Sequence, residues 1–265
     1  MFLIILNLSL NSSCSSFLFS YFHLVENRNI FDINCDLGEG LDNDALLMPY
    51  LNSCNIACGA HAGDENTIRE SIVLAKKYGV KIGAHPSFPD RLNFGRKVMN
   101  IDDEELKFSL LQQLRLFDRI CREEDALLHH IKPHGALYNI AAKDFNKAAL
   151  IVDIIKTYFP AVILYCPPLS LMEELANKAA VSIMREVFAD RSYLPDLSLV
   201  DRSHPKALLT NPEEVLVHVK YMVERKQIRT VDGVIKSAEA DTLCIHGDNP
   251  FALEILKTIK KYFNF

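Results

Sequence analysis

The 265-residue sequence has no GxxxxGK[ST] loop, no GxGxxG after an apolar run, no GxSxG elbow and no HExxH helix. Those absences remove the ordinary signatures of a self-contained nucleotide site, a serine-hydrolase nucleophile and a zincin metal helix. There is no long Lys/Arg run and no basic-aromatic interleaving, and the formal net charge is -5 with a pI near 6.0. Nothing electrostatic therefore points to nucleic acid or an anionic membrane. The apolar pieces MFLIILNLSL and FLFSYFHLV are each too short to span a bilayer. No Lys or Arg precedes Arg28, so the basic start of a secretory signal is missing. Residues 1–29 read as an extension, and 30–265 as one functional domain. Seven cysteines are dispersed at 14, 35, 54, 58, 121, 166 and 244. Only Cys54 and Cys58 are close, and no second pair completes a zinc set, so a reducing, cytoplasmic setting is expected.

With 49% hydrophobic and 24% charged residues, the chain can fill one large core. Strand-like apolar runs are expected at 31–34, 55–58, 80–84, 126–131, 161–166, 181–185 and 242–246. Amphipathic helices alternate with them. One is capped by Asp64 and carries Ile68, Ile72 and Ala75 on one stripe. Another spans 102–122 with Leu106, Leu110, Leu114, Phe117 and Cys121 inward, and a last one follows Asn249-Pro250. A hairpin is expected over 227–236, turning at Asp232-Gly233. The polar stretch 188–212 reads as a functional loop over the site. The alternation predicts an α/β fold with a parallel sheet, open or closed.

Polar clusters sit where these runs end: NCDLGEG (34–40), NIACGAHAGD (55–64), GAHPSFPDRLNFGR (83–96), HHIKPHGALYN (129–139), REVFADR (185–191), VDRSH (200–204) and HGD (246–248). Strand ends that gather His, Asp, Asn and Gly are how a β/α enzyme assembles one pocket from distant segments. Asn34, Asp36 and Glu39 supply carboxylates for base or metal-ligand work, or merely a cap or turn. His61, Asp64 and His85, with Asp36, form an Asp/His set suited to a divalent metal or a proton shuttle. The metal set expected on this reading is Asp36, His61 and His85. Lys132 and His134 follow the fourth run, where a lysine can polarise a carbonyl or hold a carboxylate. At most one of His129 and His130 should face the interior. Arg185, Glu186, Asp190 and Arg191 form either a carboxylate clamp or an internal ion-pair lattice. His246 closes the last strand, with Asp248 as a partner able to orient an imidazole.

In this order the clusters resemble the LamB/YcsF family, also called the 5-oxoprolinase A-subunit family. The matching segments include DINCDLGEG (32–40), IGAHPSFPDRLNFGR (82–96), IKPHGALYN (131–139) and DTLCIHGD (241–248), and the likeness covers 30–265. One departure is Ala60, where the family commonly has Phe. The resemblance implies an irregular seven-stranded (β/α) barrel similar to the glycoside hydrolase/deacetylase barrel. It implies ATP-dependent opening of 5-oxo-L-proline to L-glutamate with partner subunits B and C. The ATP would be bound mainly by those partners, in keeping with the missing nucleotide motifs. On that reading Asp36, His61, Asp64, His85, Lys132 and His134 are the candidate catalytic residues. Asn34, Glu39, Arg96, Asn139, Arg185, Glu186, Arg191 and His246 are the candidate substrate-binding residues. The alternative is a stand-alone metal-dependent amide hydrolase or deacetylase using Asp36, His61 and His85.

Overall fold

The computed structural model describes residues 31–264. The expected extension at 1–29, with Cys14, lies outside the described residues. Seven parallel strands close into a barrel: β1 (Asp32–Leu37), β2 (Ser53–Ala57), β3 (Lys81–His85), β4 (Leu128–Ile131), β5 (Ile163–Cys166), β6 (Ile183–Phe188) and β9 (Thr242–His246). β9 pairs with both β1 and β6, which completes the ring. The seven-stranded (β/α) barrel implied by the resemblance is therefore the observed fold.

Helices α1 (Asp44–Leu47), α2 (Glu65–Tyr78), α3 (Asp103–Glu123), α4 (Gly135–Ala141), α5 (Phe145–Tyr158), α6 (Leu171–Lys178), α7 (Pro212–Arg225) and α8 (Ala252–Phe263) follow the strands. The expected apolar stripes are buried: Ile68, Ile72 and Ala75 on α2, and Leu106, Leu110, Leu114, Phe117 and Cys121 on α3. Asp64 caps α2, its Oδ1 accepting from Thr67 N at 2.9 Å, and Asp102 caps α3 in the same way. Helix α8 starts at Ala252, later than Asn249-Pro250 suggests. Asn249 is held elsewhere, its Nδ2 donating to Asp190 Oδ2 and Leu209 O.

The expected hairpin forms from β7 (Gln227–Arg229) and β8 (Ile235–Ser237), antiparallel, with Gly233 at φ +85° in the turn. Residues 188–212 are more tightly held than a free loop. Bridges join Arg191 to Leu208 and Tyr193 to Leu199. The Arg191 guanidinium donates to the carbonyls of Val200 (2.7 Å) and Ala207 (3.2 Å). No helix among the described residues is long and apolar enough to cross a membrane.

Apolar residues on the outer faces of the strands (Ile33, Cys35, Ile56, Leu164, Val187, Leu243) join the helices in one core. The barrel interior is different. Alternation turns Asp32, Asn34 and Asp36 of β1 inward, against Ser53 and Asn55 of β2 and Thr242 of β9. Strand β1 runs through Asp36, not just to Asn34 as expected. Both residues therefore belong to the strand, not to the loop after it.

Candidate active site at the barrel mouth

The interior is a stack of hydrogen-bonded layers that ends at the C-terminal rim. In the lowest layer, Asp32 Oδ2 accepts from Ser53 Oγ (2.6 Å) and Thr242 Oγ1 (2.7 Å). Above it, Asn55 Nδ2 donates to Asn34 Oδ1 (2.7 Å), and His130 Nε2 donates to Asn55 Oδ1 (2.7 Å). His130 stacks on Tyr165, centroids 3.9 Å apart, while His129 is only part-buried at the outer edge. Gly83 makes this possible: a Cβ there would sit 2.0 Å from His130 Nε2. Such paired polar groups are tolerable in a dry interior because each donor finds an acceptor.

Lys132 occupies the next layer. Its Nζ donates to Asp36 Oδ1 at 2.7 Å and lies 3.0 Å from Glu186 Oε1 and 3.1 Å from Cys244 Sγ. Burial opposes both charges. The neighbouring His85 and Lys132 nevertheless hold Asp36 well below the usual carboxylate range, and Asp36 holds the Lys132 ammonium well above its usual value. Among the described residues, neither oxygen of Glu186 receives a well-aligned hydrogen bond, and the buried hydroxyl of Tyr138 faces Glu186 without making one. These groups have hydrogen-bonding capacity to spare for a ligand.

Three imidazoles cover this layer. His85, at the end of β3, has Nε2 3.3 Å from Asp36 Oδ2 and 3.0 Å from His134 Nδ1. His134 Nδ1 is 3.4 Å from Glu39 Oε1, and His61 Nε2 is 3.3 Å from the same oxygen. His61 and His134 stack in parallel with centroids 3.8 Å apart. Burial pushes His134 well below the ordinary imidazole value and lowers His61. Ligand atoms of Asp36, Glu39, His85 and His134 all lie within 4.8 Å of one another, as a metal-binding group would. His61 touches that group through Glu39 but is not one of the four, whereas the sequence suggests it in place of Glu39 and His134.

Segment 86–96 closes the mouth. Ser87 N donates to Gln113 Oε1 of α3, and Gln113 Nε2 donates back to Ser87 O. Phe94 packs edge-on against His61 and His134. Gly95, at φ +63°, lies so close that an added Cβ would meet His134 Cδ2 at 3.0 Å and His61 Cβ at 3.1 Å. At the outer rim Arg96 and Arg202 both donate to Asp248 Oδ2, at 2.6 and 2.8 Å.

The structure thus brings together Asp36, Glu39, His61, His85, Lys132, His134 and Glu186. Arg96 stands at the rim. His246 is adjacent, its ring stacked on Phe188 and its Nδ1 2.8 Å from Asp190 Oδ1. Asp190, not Asp248, is therefore its orienting partner. Asn34 lies a layer below, committed to Thr242 and Asn55. Other candidates fall elsewhere. Asp64 is an exposed helix cap, Asn139 is exposed on α4, and Arg185 pairs with Glu173 and Glu239 outside the ring. Arg191 spends its guanidinium on backbone carbonyls of the 188–212 segment. Of the two strand histidines, only His130 faces the interior, as expected, whereas sequence reasoning misses Asn55, Gly83 and Tyr138 as parts of it. Period-two alternation through NCD and SCN is the signal that could find Asn55. Two cavities of about 310 and 450 Å³ lie between the 188–212 segment, α7 and the hairpin, and share no residue with this cluster.

Comparison with known proteins agrees with the architecture. Residues 31–264 match the LamB/YcsF family. The 5-oxoprolinase A subunit of Histophilus somni (strain 129Pt) is 44% identical over 230 residues, 87% of this chain and 93% of that protein. The protein of the same name from Neisseria meningitidis serogroup A is 40% identical over 230 residues, covering 87% and 94%. The crystal structure of a lactam utilization protein from Thermus thermophilus superposes with TM-score 0.82 at 36% identity, covering 88% of this chain and 96% of that one. A GH113 β-1,4-mannanase, at TM-score 0.51 and 12% identity over 88% and 99% of the two chains, shares the fold alone. With the match running from the start of β1 to the end of α8, the chain belongs to the LamB/YcsF family.

Proposed function

We propose that this chain is the A subunit of a cytoplasmic, ATP-dependent 5-oxoprolinase, which opens 5-oxo-L-proline to L-glutamate together with partner subunits B and C. The observation that carries this reading is the buried Lys132–Asp36–Glu186 group beneath three histidines, at the mouth of a barrel whose 40–44% identical relatives bear the 5-oxoprolinase name. Those relatives are named as one subunit of an enzyme, which supports an assembly with other chains. The six described cysteines are all free, in keeping with a reducing compartment.

A five-membered lactam is a stabilised amide and needs activation. In the proposed reaction its carbonyl oxygen takes the γ-phosphoryl group of ATP, held by the partner subunits, and ADP leaves. Water adds to C5 and gives a proton to a base at the mouth. Collapse breaks C5–N, the nitrogen takes a proton, and a second water hydrolyses the acyl phosphate to glutamate and phosphate. Lys132 is placed to offset developing negative charge on oxygen. The neutral imidazoles of His61 and His134 can accept or pass a proton near neutral pH. Asp36 holds Lys132 in position and charged. Asp64 is no longer a candidate base, because it faces solvent on α2. For the substrate carboxylate Arg96 is the candidate clamp: although paired with Asp248 it stands at the rim, whereas Arg185 and Arg191 are engaged elsewhere. Substrate access requires segment 86–96 to move away from His61 and His134.

The test is co-expression with candidate B and C subunits, followed by glutamate release from 5-oxoproline with and without ATP. ATP-dependent release that needs all three chains supports the proposal. A second reading rests on the Asp36/Glu39/His85/His134 group: an amide hydrolase that needs neither ATP nor partners. Turnover of 5-oxoproline or an acetylated amine by the chain alone would favour it.

A further inference from the structure

We infer that His85 Nε2, His134 Nδ1, Asp36 Oδ2 and Glu39 Oε1 form a binding site for a single transition-metal dication of the Zn²⁺ class. The inference goes beyond the lactam-opening reading and does not depend on it, because it concerns only what these side chains can hold.

Backbone partners fix which ring nitrogens carry hydrogen. His85 Nδ1 lies 2.7 Å from the carbonyl oxygen of Lys132, and a carbonyl can only accept. His134 Nε2 lies 2.9 Å from the carbonyl oxygen of Phe94. In neutral rings this leaves lone pairs on His85 Nε2 and His134 Nδ1. Those two atoms face each other at 3.0 Å. Two carboxylate oxygens, also acceptors, lie beside them: Asp36 Oδ2 at 3.3 Å from His85 Nε2, and Glu39 Oε1 at 3.4 Å from His134 Nδ1. Four acceptors thus converge, and the donor beside them, His61 Nε2, reaches Glu39 Oε1 from outside the two ligating imidazoles. A cation is what such a convergence lacks.

Three of the ligand–ligand separations, 3.0, 3.3 and 3.4 Å, suit a cation directly, and all four ligand atoms lie within 4.8 Å of one another. Metal–ligand bonds of about 2.0–2.2 Å place neighbouring ligand atoms roughly 3.0–3.5 Å apart, as tetrahedral or octahedral edges. Each imidazole donates its other N–H to a backbone carbonyl, the arrangement that orients metal-bound histidines. The carboxylates divide their work similarly. Asp36 Oδ1 takes Lys132 and Asn55, leaving Oδ2 toward His85. His61 Nε2 braces Glu39 Oε1. Among the described residues, Asp36, Glu39 and Glu186 bring three carboxyl groups to a mouth with one buried ammonium, Lys132, a balance that a dication suits. Two imidazoles with two carboxylates favour Zn²⁺ or Co²⁺ over Mg²⁺ or Ca²⁺, which prefer all-oxygen sets.

The test uses the full-length chain stripped with a chelator and titrated with ZnCl₂ and CoCl₂. Calorimetry should give one equivalent per chain. The Co²⁺ form should show visible ligand-field bands, and X-ray absorption on the Zn²⁺ form should count two imidazoles. His134→Gln and His85→Gln should lose this uptake, while His204→Gln, at an exposed site, should keep it. Should either variant fail to fold, the imidazole count on the wild-type chain still decides. Binding that is weak and equal in wild type and folded variants, or a Zn²⁺ shell without two imidazoles, overturns the inference.

Discussion

Lys132 Nζ donates to Asp36 Oδ1 at 2.7 Å, although the two residues are separated by 96 positions. Both are almost fully buried, and each holds the other ionised. Replacing Lys132 by Met leaves Asp36 and Glu186 as uncompensated buried carboxylates. Breaking a buried pair this way costs about 3–5 kcal/mol. Urea unfolding of Lys132→Met should show that loss. Adding Asp36→Asn should recover part of it, because one unpaired charge is removed.

Gly83 is small because His130 passes beside it. Gly83→Ala should destabilise the barrel by about 1–3 kcal/mol through overpacking. In a double-mutant cycle, most of that cost should vanish when His130 is also replaced by Ala. A fully additive result would mean that the strand, not the imidazole, sets the need for glycine.

A pH dependence follows from His218 of α7. Burial pulls its pKa down to about 4, and Nε2 donates to Arg191 O at 3.2 Å, so the ring is neutral in the folded chain. The unfolded imidazole titrates near 6.5. Between those values the unfolded chain binds a proton that the folded chain does not, so stability falls as pH drops from about 6.5 toward 4. The side chain is part-exposed, which reduces the effect to on the order of 1–3 kcal/mol. His218→Gln, which keeps a donor, should flatten this segment of the stability–pH curve measured by urea unfolding.

Asp64 separates motif from mechanism. It lies in the GAHAGD cluster beside His61, yet its side chain caps α2 at the surface. Asp64→Ala should lower Tm modestly and leave ATP-dependent turnover in the reconstituted complex unchanged.

Much of this fold is legible because period-two apolar runs and capped amphipathic stripes are local signals. The hairpin at Asp232-Gly233 and the cap at Asp64 are examples. The site is legible only in part. Asp36 and His85 occupy inward-facing positions of β1 and β3, so residue type and strand register agree, and Lys132 and His134 follow the end of β4 within three residues. Arg185 carries the right chemistry for a carboxylate clamp but faces outward, where Glu173 and Glu239 meet it. A one-residue difference in register decides that, and composition cannot supply it. Arg191 is buried but satisfies carbonyls of an irregular segment, a demand set by the tertiary path of the chain. The partnership of His246 with Asp190, instead of the nearby Asp248, has the same origin.

Whether the buried charged group at the barrel mouth performs the chemistry is decided most directly by ATP-dependent glutamate release from 5-oxoproline. The assay uses the assembled three-subunit complex and compares Lys132→Met with the surface change Lys178→Met. If Lys132 acts on the reacting oxygen, Lys132→Met loses at least about 100-fold in kcat with assembly intact, while Lys178→Met keeps the wild-type rate. Wild-type kcat in an intact complex carrying Lys132→Met would contradict that role.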